Sequence, residues 1–227
     1  MAETINNSNF EKQSYSFYSV VKRMIDIIIS LTVLVIGAPI FLLIALLIKL
    51  DSSGPVIYRQ ERSGKYGRIF RIYKFRSMVT NADQILWRSD PELLEVYKKN
   101  NYKIPNDPRV TAIGSIIRRL SFDELPQFIN VLVGEMSIVG PRACKPNELS
   151  DQQEVFPESK KYIKDLLSVR PGITGPWQVG GRNEIDFCER TRLGAEYAKR
   201  QSLIYDFTIM LKTPWAALAG TGIVDRG

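Results

Sequence analysis

The chain is 227 residues long, 44% apolar and carries a net charge of +7, which suits one globular domain plus an appendage and an anionic partner such as nucleic acid, a phosphorylated ligand or a membrane. It contains no histidine, so His-based triads, His general bases and His-liganded metal sites are excluded. Cys144 and Cys188 lie far apart with no C-x-x-C pattern, which indicates neither a zinc site nor a disulfide framework.

Residues 1 to 14 are polar, rich in Asn and Ser and without period, as expected of a disordered tail. From Ile27 to Ile48 run twenty-two residues without a charge, long enough to cross a hydrocarbon core as a helix. The run is too long, starts too late and lacks the small-residue cleavage site of a secretory signal. Lys22 and Arg23 precede it and Lys49 follows, so both ends favour the cytoplasmic side. Gly37 and Pro39 interrupt its middle, where proline removes a helical hydrogen bond. A helix that bends back to the face it entered satisfies both observations, and a kinked single span is the alternative. The division is therefore a tail over 1–14, a membrane helix over 15–50 and a domain over 51–227 that ends in helices.

Between Lys49 and Arg76 there are eight basic residues and two acidic ones, nearly the whole net charge. Adsorption to acidic headgroups explains part of this. Within it, VIYRQERSGKYGRIFRIYKFRSM has two strand-like runs about a Gly-containing turn, which predicts a hairpin. A period of two puts Lys74 and Arg76 on one face and Tyr73 and Phe75 on the other, and two cations on one face can grip a diphosphate. A merely solvated basic face is equally compatible. The stretch from Val79 to Asn101 is helix-like and carries no recognisable chemistry. A turn then follows at Asn106 to Pro108, with Asp107 and Arg109 as a local pair.

The stretch RRLSFDELPQFINVLVGEMSIVGPR, from Arg118 to Arg142, places the carboxylates Asp123 and Glu124 at a predicted helix start between arginines. In one reading Ser121 is the N-cap and Glu124 completes a capping box. In the other, Pro126 takes the first helical position, Leu125 is extended and the acids lie just ahead of the helix. In both, the positive end of the helix dipole helps keep an acid ionised and can receive a phosphate. A plain structural cap accounts for these residues equally well.

Further on, KKYIKDLLSV predicts a short amphipathic helix stopped before Pro171. Gly and Pro then force turns around the strand-like ITGPWQV, flanked by Arg170 and Arg182. Two helices follow. The last is apolar but interrupted by Lys212 and Pro214, which suits an interfacial helix or a buried core helix better than a second span. No P-loop, dinucleotide fingerprint or D-x-D pair occurs.

Five motifs in order carry a resemblance: Ala38-Pro39 in the membrane helix, KFRSM (74 to 78), DPRVT (107 to 111), SFDELPQFINVLVGEMSIVGPR (121 to 142) and RPGITGPWQVGGRN (170 to 183). Together they resemble the bacterial sugar transferase family, the monotopic polyprenyl-phosphate phosphoglycosyl transferases that initiate surface polysaccharides, exopolysaccharide among them. The resemblance implies an α+β fold, mostly helical with a small β-hairpin, on an N-terminal re-entrant membrane helix with interfacial helices. It implies an enzyme at the cytoplasmic face of the bacterial inner membrane, using a UDP-sugar and polyprenyl (undecaprenyl) phosphate. Asp123 matches the family nucleophile, which forms a phosphosugar intermediate as UMP leaves in a ping-pong mechanism, and Glu124 matches the Mg²⁺-binding carboxylate. Lys74, Arg76, Arg118, Arg142 and Arg170 match basic motif positions that would hold phosphates. Inner-membrane lipids are implied partners, nucleic acid is not, and a homodimer is compatible. Ala143, Pro176 and Gly180 depart from the family pattern, while the Trp-Gln-Val form points toward hexoses. A membrane-anchored basic adaptor without catalysis is the competing reading, though the chain lacks the aromatic and basic interleaving of a nucleic-acid module.

Overall fold

The computed structural model of the chain describes residues 17–82, 84–85, 104, 107–181 and 185–218. The expected tail over 1–14, the segment PELLEVYKKNN and Arg182 lie outside the described residues.

Helix α1 (Phe17–Ile36) and helix α2 (Ala38–Asp51) meet at Gly37, bent by 60°. The break falls one residue before the Ala38-Pro39 pair. A Cβ at Gly37 would sit 2.4 Å from the Val33 carbonyl and 2.9 Å from the Phe41 ring, so only glycine fits. Pro39 then lies in the first turn of α2, where its missing N–H is harmless. No single described helix is long and apolar enough to cross a membrane, but the bent pair together is. Along it Met24, Ile28, Leu31, Val35, Leu42, Leu46 and Leu50 are exposed.

The predicted hairpin forms: β1 (Ile57–Ser63) pairs antiparallel with β2 (Ile69–Phe75) across a short turn, Ile57 opposite Phe75. A helix α3 (Ala112–Arg119) follows, capped by the Thr111 hydroxyl on the Gly114 N–H and by Asp51 on the Ile113 N–H. Next come α4 (Gln127–Val133), β3 (Ser137–Val139), α5 (Pro146–Val155) and α6 (Lys160–Leu166). The chain ends in β4 (Gly172–Thr174), α7 (Pro176–Val179), α8 (Phe187–Arg200) and α9 (Leu203–Leu218). The ITGPWQV segment is thus a strand followed by a helical turn, not one strand.

The second two-stranded sheet is unexpected: β3 and β4 pair in parallel, Ser137 with Gly172 and Val139 with Thr174. Side chains at Gly140 or Gly172 would collide with the facing backbone at 2.4 and 2.1 Å, so the two strands meet main chain to main chain. Helix α9 runs on through Pro214, leaving Ile204, Phe207, Leu211 and Trp215 as an exposed apolar stripe.

Phe70, Ile72, Val131, Met136, Val139, Tyr197 and Ile209 form the main core, while Ile44 and Ile48 of α2 pack with Phe75 and Ile117. One buried polar knot ties the first helix to the last. Asp206, 4% exposed, accepts from Lys22 Nζ at 2.6 Å, Tyr18 at 2.9 Å and Tyr197 at 2.6 Å. Truncating one member of such a pair strands the other. Asp206→Ala should therefore cost about 3 kcal/mol in thermal unfolding, and pairing it with Lys22→Met should recover part of that loss.

Candidate active site

The turn carrying the carboxylates is built by an unusual residue. Ser121 has a φ of 58°, left-handed for a non-glycine, and reverses the chain after α3. Phe122 and Leu125 hold this turn by packing against the cluster at the base of the hairpin and α2. Asp123 and Glu124 occupy a single 3₁₀ turn, Phe122–Glu124, ahead of α4. Neither helix-start reading holds as stated. Ser121 makes no side-chain cap, and Leu125 is helical (φ −54°, ψ −38°), with Pro126 as the cap of α4. The second reading is right only in putting the acids before the helix.

Lys74, at the end of β2, reaches this turn. Its Nζ donates to Glu124 Oε1 at 2.6 Å and lies 3.9 Å from Asp123 Oδ2. Burial pushes the Asp123 carboxyl up to about 6; Lys74 and Arg118 oppose this and the neighbouring Glu124 charge adds to it. For Glu124, burial also acts upward, but Lys74, Arg142 and Arg62 outweigh it and hold the group below the usual glutamate value. Burial thus outweighs the charge at the helix start expected to hold Asp123 down, and its carboxyl sits above the usual aspartate value.

The expected basic residues divide into two sets. Arg118, in the last turn of α3, and Arg142, after β3, join Lys74 around the dyad. Arg118 Nη1 and Arg142 Nε are buried donors without a hydrogen-bond partner among the described residues, as an anionic ligand would supply. Arg76 is elsewhere. It lies past the end of β2, 5% exposed, and donates to the Ile48 and Ser52 carbonyls at 3.3 and 2.6 Å, so it seals the end of α2. Arg170 is also apart from the dyad, with its Nε on the Gly134 carbonyl at 2.8 Å. The Asp107 and Arg109 pair is as expected, two-pronged at 2.6 and 2.7 Å.

Four residues of this surround were not anticipated. Glu148 of α5, held by the Lys145 N–H at 3.1 Å, lies 3.8 Å from Arg62 and 4.0 Å from Arg142. Burial acts upward on Glu148, yet Arg142 and the Lys145 N–H keep it below its usual value. The Trp177 ring carries the Arg142 and Arg190 guanidiniums at 5.1 and 5.5 Å. Trp177 sat within a recognised motif and Arg62 within the basic stretch, whereas nothing local marked Glu148 or Arg190.

A raised carboxyl makes folding less favourable once ionised: the cost is absent below the unfolded-state value near pH 4, develops up to about pH 6 and is full above it. Asp123→Asn should accordingly melt higher than the parent at alkaline pH, by about 2 kcal/mol, and the gain should vanish near pH 4; thermal unfolding across that range checks it.

The bacterial sugar transferase family model matches residues 17–220. The chain is 38% identical over 195 residues to the exopolysaccharide production protein ExoY of Sinorhizobium fredii, covering 85% of this chain and 83% of that one. It is 39% identical over 218 residues to the undecaprenyl-phosphate galactose phosphotransferase of Salmonella typhimurium, covering 95% of this chain but 43% of that protein. A third relative, the UDP-glucose:undecaprenyl-phosphate glucose-1-phosphate transferase of Escherichia coli, is 39% identical over 197 residues, or 85% of this chain and 39% of its own length. The chain thus spans under half of the two longer proteins. With the match running through both halves of the site, the chain belongs to the bacterial sugar transferase family.

Proposed function

We propose that the chain transfers a sugar 1-phosphate from a UDP-hexose to undecaprenyl phosphate, through a phosphosugar held on Asp123. It is a phosphoglycosyl transferase. The observation that carries the finer reading is a partly buried carboxylate, Asp123, beside Lys74 and within the charge influence of Arg118, whose Nη1 has no hydrogen-bond partner among the described residues. A hexose donor is supported by the Trp-Gln-Val segment and by relatives named for galactose and glucose.

An Asp123 oxygen attacks the phosphorus that bears the sugar. The bond from that phosphorus to the bridging oxygen breaks, UMP leaves with the electron pair, and the phosphosugar remains as an acyl phosphate. An oxygen of undecaprenyl phosphate then attacks the same phosphorus and returns the carboxylate. A pKa of about 6 leaves Asp123 ionised at neutral pH yet more basic than an ordinary aspartate, so no general base is required. Lys74, Arg118 and Arg142 lower the repulsion between this carboxylate and an anionic phosphate.

Glu124, 39% exposed at its side chain, is a hard oxygen donor of the kind Mg²⁺ takes; Lys74 holds its Oε1 at 2.6 Å, and substrate phosphates would supply further oxygen ligands. When bound, the ion would neutralise phosphate charge. The exposed apolar faces of the α1–α2 pair and of α9 support a monotopic seat on the cytoplasmic face of the inner membrane. There a lipid phosphate at headgroup depth meets the site while its chain stays in the bilayer.

With UDP-glucose or UDP-galactose and Mg²⁺ but no lipid acceptor, the protein should release about one equivalent of UMP and keep the phosphosugar. Asp123→Asn should do neither, and a variant that still releases UMP overturns the assignment. Lys74→Gln should slow UMP release about a hundredfold. For the parent, kcat/KM should fall below about pH 6 as Asp123 takes up a proton.

A further inference from the structure

A cavity of about 1000 Å³ lies between α1, the hairpin turn and the start of β4. It takes in Gly64, Arg68, Ile69 and Phe70 of the hairpin but none of Lys74, Asp123 or Glu124. Lys74 stands four residues beyond Phe70 on β2, roughly 13 Å away along an extended strand. The cavity is therefore separate from the dyad.

Its walls bring cations from three parts of the chain: Arg23 of α1, Lys65 and Arg68 of the hairpin turn, and Arg170 before β4. Lys22 also lines it, but that ammonium is neutralised by Asp206 at 2.6 Å. Among the described lining residues outside that pair the one carboxylate is Glu135, which accepts from the Asn130 amide at 2.7 Å and offsets one of the four cations, leaving the walls net positive. Arg23 donates to the Val131 and Leu132 carbonyls at 2.6 and 2.8 Å, and Arg170 to that of Gly134. These bonds cap the end of α4, and they also draw two guanidiniums together. Arg23 uses both terminal nitrogens there, whereas Arg170 uses only its Nε among the described residues, so its terminal nitrogens and the charge of Arg68 remain to line the same space.

The rest of the lining is apolar. Val20, Met24 and Ile69 border the cavity at 48%, 58% and 53% exposure, and the α1 face that begins with them continues through Ile28 and Leu31. A ligand matching both parts carries a phosphate at one end and hydrocarbon at the other. We propose that this cavity is a second anion site, which holds the headgroup phosphate of an anionic membrane lipid while its chains lie along Val20 and Met24. The assignment rests on the membrane seat proposed above.

The test uses the full chain in nanodiscs of phosphatidylcholine and phosphatidylglycerol in equal parts, with retained lipid read by native mass spectrometry. Flotation on vesicles of the same mixture serves as the control. The parent and Asp123→Asn should both float and retain phosphatidylglycerol severalfold over phosphatidylcholine. Arg68→Gln, an exposed change, should weaken that preference, and Arg68→Gln with Arg170→Gln should abolish it while flotation persists. Addition of inorganic phosphate should not displace the lipid. Equal retention by the double variant or displacement by phosphate alone overturns the assignment. Flotation without enrichment overturns only this inference, whereas a chain that does not float removes the membrane seat as well.

Discussion

The side chain of Asn130 sets the register on which the site depends. It is fully buried, and its amide does for β2 what a third strand would do: the oxygen accepts from the Tyr73 N–H at 3.0 Å and the nitrogen donates to the Arg71 carbonyl at 2.8 Å. Its own backbone carbonyl takes the N–H groups of Glu135 and Met136 and so fixes the turn from α4 into β3. Lys74 is one residue beyond this clamp on the strand side, and Glu124 is six residues before it on the helix side. Leaving such a buried amide unmet is costly, so the lysine and the carboxylates are held at one separation. Arg142 follows because β3 leads directly to it.

Around that fixed geometry the site is a contest between desolvation and cationic charge. Asp123 and Glu124 are neighbours in sequence, yet they are driven in opposite directions, because Lys74 makes its short contact with only one of them. Asp123, the proposed nucleophile, is the one left poorly compensated. A cluster of arginines with unmet donors behind it stores the same tension in cationic form. The proposed polyanionic substrate would relieve that mismatch, the familiar conflict between stability and activity.

Much of the fold was legible in the sequence where signals were local. The apolar run with Gly37 and Pro39, the hairpin about its glycine turn and the final amphipathic helices follow from period and breaker residues. What could not be read was long-range. The parallel pairing of β3 with β4 joins segments more than thirty residues apart through strands of three residues each, too short for any pattern. Lys74 and Arg76 shared a face on paper, but β2 stops at Phe75, and the chain turns Arg76 into the end of α2. Burial of Asp123 was equally invisible, since desolvation is a property of the assembled surroundings and not of an Asp-Glu pair.

The glycine crossing between β3 and β4 has an implication for engineering. Gly140 and Gly172 approach so closely that the segments leading to Arg142 and to Trp177 are set as one piece, and the Arg142 guanidinium then rests on the Trp177 ring. A chimera that imports either segment alone from a relative would meet a partner shaped for a different neighbour. The residues after β3 and those after β4 therefore travel together in any such exchange.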